Sequence, residues 1–392
     1  MPFAHFPSTL TPAPELELIL HCLPDHPDRS AIRRSALANI DWISFLDRCR
    51  IHAVRPLINR TLTLVEEETA PSQVRSSLKQ FTLKNAHRNT ILTIELARII
   101  DALHEKGIGA ATFKGPVLAE HAYGSIALRE FLDIDIIVRK SDFPETERFL
   151  LRDGYQTASQ NREYQDYLRE SGQASFRRPG ERFGVDLHWK LSPFGMPFPF
   201  PEDEIWPKLQ KLSMSGFEMP TLAWDHLAVF MACHGARERW RKLKWVCDFA
   251  ALNRSRPELD WDDLRKRAAG SHCSRSLLVA SQLSDAVGLT APPQLLDAAQ
   301  GDAAVERVTR RVLSRLVDPR PETQLSKFVD TSANTERLRD KVKLSAALLT
   351  TLTVSDFRTI RLHRRLRPLY YVIRPFRIAI KVLTTLIQRA AR

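Results

Sequence analysis

The chain has 392 residues, 43% hydrophobic and 27% charged, enough for two or three packed domains and unlike a disordered or fibrous protein. Fourteen glycines argue against glycine-rich barrels and propellers, and five cysteines without CxxC spacing (Cys22, Cys49, Cys233, Cys247, Cys273) argue against a disulfide framework. The net charge of +12 lies almost wholly at one end, because residues 341–392 hold twelve Lys/Arg against one acid, Asp356. The first residues, MPFAHFPSTLTPAPE, lack a basic region followed by an apolar run, so no signal peptide is expected. No stretch reaches the ~18 uncharged apolar residues of a membrane span. The expected location is therefore cytoplasmic.

Residues 1–100 read as a helical region. IDWISFLDRCRIHAVRPLINRTL spaces its apolar residues three and four apart, with Asp41 placed to cap one helix; LKNAHRNTILTIELARIIDALHEKG is another, closed by Gly107. The pattern changes at Ile108. IGAATF predicts a buried strand running into a Lys114-Gly115-Pro116 turn, and PVLAEHAYG a helix with Pro116 in its first turn. FLDIDIIV has period two, with Leu132, Ile134 and Ile136 on one face and Asp133, Asp135 and Ile137 on the other. SDFPETERFLLRDGY predicts a helix from Ser141 or Asp142 to Gly154, and ASFRRP and RFGVDLHW two strands joined by a Pro179-Gly180 turn. This gives an α+β core over 101–200, a mixed sheet with flanking helices.

SPFGMPFPFPEDEIWP reads as an ordered linker into a C-terminal helical domain, 201–340. Within it His234, Arg237, Trp240, Lys244 and Asp248 recur at helical spacing, as expected of one helix face that either binds a nucleotide or acceptor or, the preferred reading, forms the seam with the core. His234 and Asp248 are its candidates for reaching a site. Residues 341–392 form a basic amphipathic tail, with helices expected to break at Pro368 and Pro375.

Three local features carry chemistry. In Asp133-Ile134-Asp135 both carboxylates leave one face of the pleat, a spacing that suits divalent cations, although it also fits the solvated face of an edge strand. At Lys114-Gly115 the glycine lets backbone approach an anion and the lysine adds a positive charge. Asp186, in VDLHW, is costly among apolar neighbours unless it is paired or bound to metal.

Together these resemble the DNA polymerase β-like nucleotidyltransferase superfamily. The nearest likeness is to the bacterial family called uncharacterised nucleotidyltransferase, whose pattern is approximately LKG-x-x-L, Y, R-x-x-x-DIDLLV and VDLHW. Here the corresponding residues are FKGPVL, Tyr123, Arg129 followed by EFLDIDIIV, and VDLHW at 185–189. HGARERWRKLKWVCDFAAL also looks like the family's helical segment, so the resemblance runs over roughly residues 40–255. The superfamily more often has Gly-Gly or Gly-Ser at the phosphate turn, which leaves the triphosphate contacts at Lys114-Gly115 open.

The resemblance implies Asp133, Asp135 and Asp186 as ligands of Mg²⁺ or Mn²⁺, with Asp186 also assisting deprotonation of an attacking hydroxyl. It implies Lys114, Gly115, Arg129 and Tyr123 around the nucleotide; Arg129 could instead pair with an acid, and Tyr123 could serve packing. His188, two residues beyond Asp186, could orient that acid or hold the structure. The implied partners are a nucleoside triphosphate and an acceptor hydroxyl on a protein, RNA, sugar or small molecule. The alternative is a non-catalytic nucleotide-binding or scaffold protein. In either case the tail could meet an acidic membrane, placing the chain at the inner face, or pack on the body; nucleic acid is a third possibility.

Overall fold

The structure is a computed structural model. It describes residues 6–390 except 8, 160–164, 167, 170–171, 182, 193–196, 320–323, 338, 340, 343–365 and 367–368. Five helices come first: α1 (Pro14–Cys22), α2 (Arg29–Ala36), α3 (Trp42–His52), α4 (Arg55–Leu62) and α5 (Ser72–His104). Asp41 caps α3 as expected, its Oδ1 accepting from the Ile43 and Ser44 amides at 3.0 and 3.2 Å. The single helix expected beyond it is two. Ala53 turns left-handed (φ 54°) and α4 restarts with Pro56 in its first turn. Proline has no N–H to continue the hydrogen bonding of α3, whereas the first turn of a new helix needs none there.

The sheet forms from β1 (Ala110–Thr112), β2 (Asp133–Val138), β3 (Gln156–Thr157), β4 (Gln173–Arg177), β5 (Gly184–His188), β6 (Gln210–Met214) and β7 (Phe217–Thr221). Its order is β3-β4-β5-β2-β1-β7-β6; β2/β5 and β1/β7 are parallel pairs and the other neighbours antiparallel. Helices α6 (Gly115–His121) and α7 (Phe143–Arg152) follow β1 and β2, and α5 and α7 lie against the central strands. Ile134, Ile136, Val185 and Leu187 are buried to 1% exposure or less, which fixes the register: a slip by one residue would turn the acids inward. The mixed α+β architecture is as expected.

The β6–β7 hairpin is a correction, since only helices were expected beyond the linker. Ser215 and Gly216 both have positive φ (50° and 87°), the two-residue turn that suits hairpin twist, and β7 pairs with β1 at Thr112. The sheet thus takes in strands beyond residue 200.

Among the described residues, eight further helices follow: α8 (Trp224–Arg237), α9 (Leu243–Ser255), α10 (Trp261–Gly270), α11 (Ser274–Ala286), α12 (Pro293–Ala299), α13 (Ala303–Val317), α14 (Gln324–Asn334) and α15 (Leu369–Ala390). The continuous face from His234 to Asp248 is a second correction. Arg239 and Trp240 have positive φ (57° and 51°), and the Trp240 indole is fully buried against Gly235, where a Cβ would stand 2.3 Å from the ring. Burial of that large ring outweighs the helical spacing. In the tail, α15 runs through Pro375 instead of ending there, as a proline can kink a helix without stopping it. The expected break at Pro368 lies outside the described residues, as do residues 193–196 of the linker.

Candidate functional site

Parallel pairing of β2 with β5 sets Asp133 opposite Gly184, Asp135 opposite Asp186 and Ile137 opposite His188. Registered residues on neighbouring strands project to the same face about 4.8 Å apart. Asp135 and Asp186 are therefore side by side, with Asp133 and His188 two positions along the same face. Ligating atoms of Asp135, Asp186 and His188 lie within 4.8 Å of one another, and this is the one such group found among the described residues. The two expected strands bring Asp135 and Asp186 together, while Asp133 lies outside that group.

The turn after β1 faces the same point. Lys114 Nζ is 2.6 Å from Asp135 Oδ1, with the two side chains 13% and 3% exposed. Gly115 follows at φ 40°, a conformation strained for other residues, and opens α6. Burial alone would raise the Asp135 carboxyl, but Lys114 and His188 override it and hold Asp135 far below the usual carboxylate range. Asp133 moves the other way: burial and the neighbouring Asp135 charge push its carboxyl up.

These groups fit a hard divalent cation. Both His188 ring nitrogens are buried without an aligned hydrogen bond, the Nε2 contact with Asp135 being 3.4 Å. Carboxylate oxygens are the donors that Mg²⁺ and Mn²⁺ take, and charge placed among them relieves the repulsion felt by Asp133.

One wall is aromatic. Phe113 meets His188 and Phe230 edge-on, with centroids 5.3 and 5.1 Å apart, and Phe230 stacks on His234 at 5.6 Å. His234 is thus next to the site without joining the acid cluster. Burial, then the Lys114 charge, keep its imidazole neutral by pushing its pKa well down.

Arg129, Tyr123 and Asp248 bond to one another. Arg129 Nε and Nη2 donate to the two Asp248 oxygens at 2.8 and 2.9 Å, and the Tyr123 hydroxyl donates to Asp248 Oδ1 at 2.8 Å. Asp248 is fully buried, so the guanidinium is held as its counter-ion. Arg129 does pair with an acid, but with the one on α9. Lys244, also on α9, donates to the Glu130 carbonyl; burial and the Arg129 charge push its ammonium down to about 8.

Sequence reasoning missed Asn85 and Asn89. Fully buried on α5, they donate to the Arg129 carbonyl at 3.1 and 2.8 Å, and also to the carbonyls of Ala127 and Ile126. They clamp the loop that delivers β2. The signal was available: two asparagines four apart within an otherwise regular helical pattern. Glu130, the next residue, is tied to Arg55 of α4 by a 2.6 Å ion pair.

The solution structure of the antibiotic-resistance factor ANT(2'')-Ia is 11% identical with a TM-score of 0.32, covering 47% of this chain and 91% of its own. The crystal structure of an antigenic nucleotidyltransferase-like protein from Paracoccidioides brasiliensis is 13% identical with a TM-score of 0.31, covering 53% and 96%. No curated protein matches the chain. The family model described as uncharacterised nucleotidyltransferase matches residues 38–287, more than half of the sequence and both acid strands, and the chain belongs to that family.

Proposed function

We propose that the protein moves a nucleoside monophosphate from a nucleoside triphosphate to an acceptor hydroxyl, releasing pyrophosphate, with Mg²⁺ or Mn²⁺ held by Asp133, Asp135 and Asp186. The reading rests on one observation: Asp135 and Asp186 are register partners on adjacent parallel strands, with Lys114 closing the same point from a glycine turn. A divalent ion bound among these carboxylates neutralises triphosphate oxygens and makes a nearby hydroxyl more acidic.

The remaining work falls to the chain's own side chains. Lys114 offers its ammonium to a phosphate, which competes for it with Asp135. Asp186, half-buried at the middle of β5, accepts the proton of the attacking hydroxyl. His188 shares a face with both acids and orients Asp135 through its contact with it. Phe113 and Phe230 exclude water from one side, which strengthens each charge interaction within.

The test is thermal stabilisation by each nucleoside triphosphate, with and without Mn²⁺. Stabilisation that needs both, and is lost in Asp133→Ala, supports the enzyme. Stabilisation that needs no metal and survives Asp133→Ala would leave a nucleotide-binding protein without turnover. Release of labelled pyrophosphate in the presence of candidate proteins, RNAs and sugars then identifies the acceptor.

A further inference from the structure

On α15 the residues Leu369, Val372, Phe376 and Ile380 recur three and four apart and are 44%, 58%, 67% and 64% exposed. At 100° per residue they form one stripe. Tyr370 and Arg374, on a different face, are 3% and 6% exposed, and α15 lies against α14. The helix is therefore fixed to the body along one side while it presents large apolar side chains to solvent along another. Single exposed apolar residues are ordinary, but four aligned along three turns form a patch of the kind that marks an interaction surface.

Charge selects the occupant. Residues 341–392 carry +11 of the chain's +12. A second copy would bring two such tails together against their repulsion. Nucleic acid would satisfy the charges and leave the stripe in water. An acidic bilayer takes both, drawing the basic residues to its headgroups and the stripe into the acyl boundary. No helix among the described residues is long and apolar enough to cross a membrane, so the helix lies along the surface. We propose that α15 docks the protein on acidic lipid bilayers through Leu369, Val372, Phe376 and Ile380.

The experiment is co-sedimentation of the full chain with vesicles of phosphatidylcholine alone or mixed with phosphatidylglycerol, beside its sedimentation velocity without lipid. The expected result is pelleting with the mixed vesicles only, weakened by salt. Val372→Asp with Phe376→Asp lowers the partition coefficient about tenfold or more, whereas Phe376→Leu keeps it. Matching circular dichroism shows that the paired variant is folded, and the leucine variant carries the test if it is not, since loss there counts against the stripe. Absence of pelleting, equal pelleting on neutral vesicles, or pelleting indifferent to the paired substitution overturns the proposal. So does a dimer that the paired substitution dissociates, which assigns the stripe to a second copy.

Discussion

Arg129 and Asp248, 119 residues apart in sequence, form a two-pronged ion pair with side chains 5% and 0% exposed. Asp248 thereby ties the loop before β2 to α9, and Tyr123 joins from the end of α6. The loop before β2, the chain just after α6 and α9 are thus locked at one carboxylate.

Removing one partner leaves the other charged and buried. Asp248→Asn should lower unfolding free energy by about 3–5 kcal/mol, and Tyr123→Phe by about 1 kcal/mol. Urea midpoints measure both. The folded Tyr123→Phe protein should keep its Mn²⁺-dependent stabilisation by nucleotide within about twofold, because the phenol serves Asp248 and not the base. A selective loss of nucleotide binding in that variant would restore Tyr123 to the nucleotide site.

The acid strands and the glycine turn were legible because their signals are local. Alternation in DIDIIV, the Pro179-Gly180 turn and the position of Gly115 each report backbone state without reference to distant residues. Two other features were set by packing across the fold. Nothing in HGARERWRKLKW marks a helix break; it exists because the Trp240 ring is seated on Gly235. The destination of Arg129 is likewise decided by a helix more than a hundred residues later. The β6–β7 hairpin is a different case, since Ser215-Gly216 between alternating residues is a readable local turn.

Lys114 supplies a positive charge where a metal ion would otherwise act alone on Asp135. Lys114→Met should therefore tighten Mn²⁺ binding in the absence of nucleotide by about tenfold, while weakening triphosphate binding by a similar factor. Asp135→Asn should weaken both. Isothermal titration with Mn²⁺, and then with nucleotide at saturating Mn²⁺, separates these signs. Unchanged Mn²⁺ affinity in Lys114→Met would mean that the ammonium and the ion do not share the carboxylate.

Asn89 satisfies two carbonyls of the loop from inside α5. Asn89→Leu fills similar volume but leaves the Ile126 carbonyl without that donor, and should cost about 1–3 kcal/mol. Since the clamp sets the entry of β2, pyrophosphate release should fall by more than the unfolded fraction explains. Activity measured well below the melting temperature, against the urea-derived stability, checks this. Full activity per folded molecule would confine Asn89 to stability.

Acid sensitivity should appear at the edge of the sheet, away from the acid cluster. Burial alone would raise the Glu95 carboxyl, but hydrogen bonds from both sides of Arg98 at 2.8 Å and from the Tyr155 hydroxyl at 2.7 Å lower it below its ordinary value. A depressed folded pKa stabilises fully above the unfolded value of about 4.3, and that contribution is lost as pH falls through the lower folded value. Glu95→Gln should accordingly be less stable than the parent at neutral pH. The gap should narrow as pH falls below about 4.3 and close only below the lower folded value, where the parent's carboxylate is protonated in both states. Urea midpoints of both proteins, followed from about pH 7 to about pH 3, read that difference directly and cancel the other titrating acids. A gap that stays constant across the range would assign the loss in Glu95→Gln to packing and not to the charge that Arg98 and Arg178 share with Glu95.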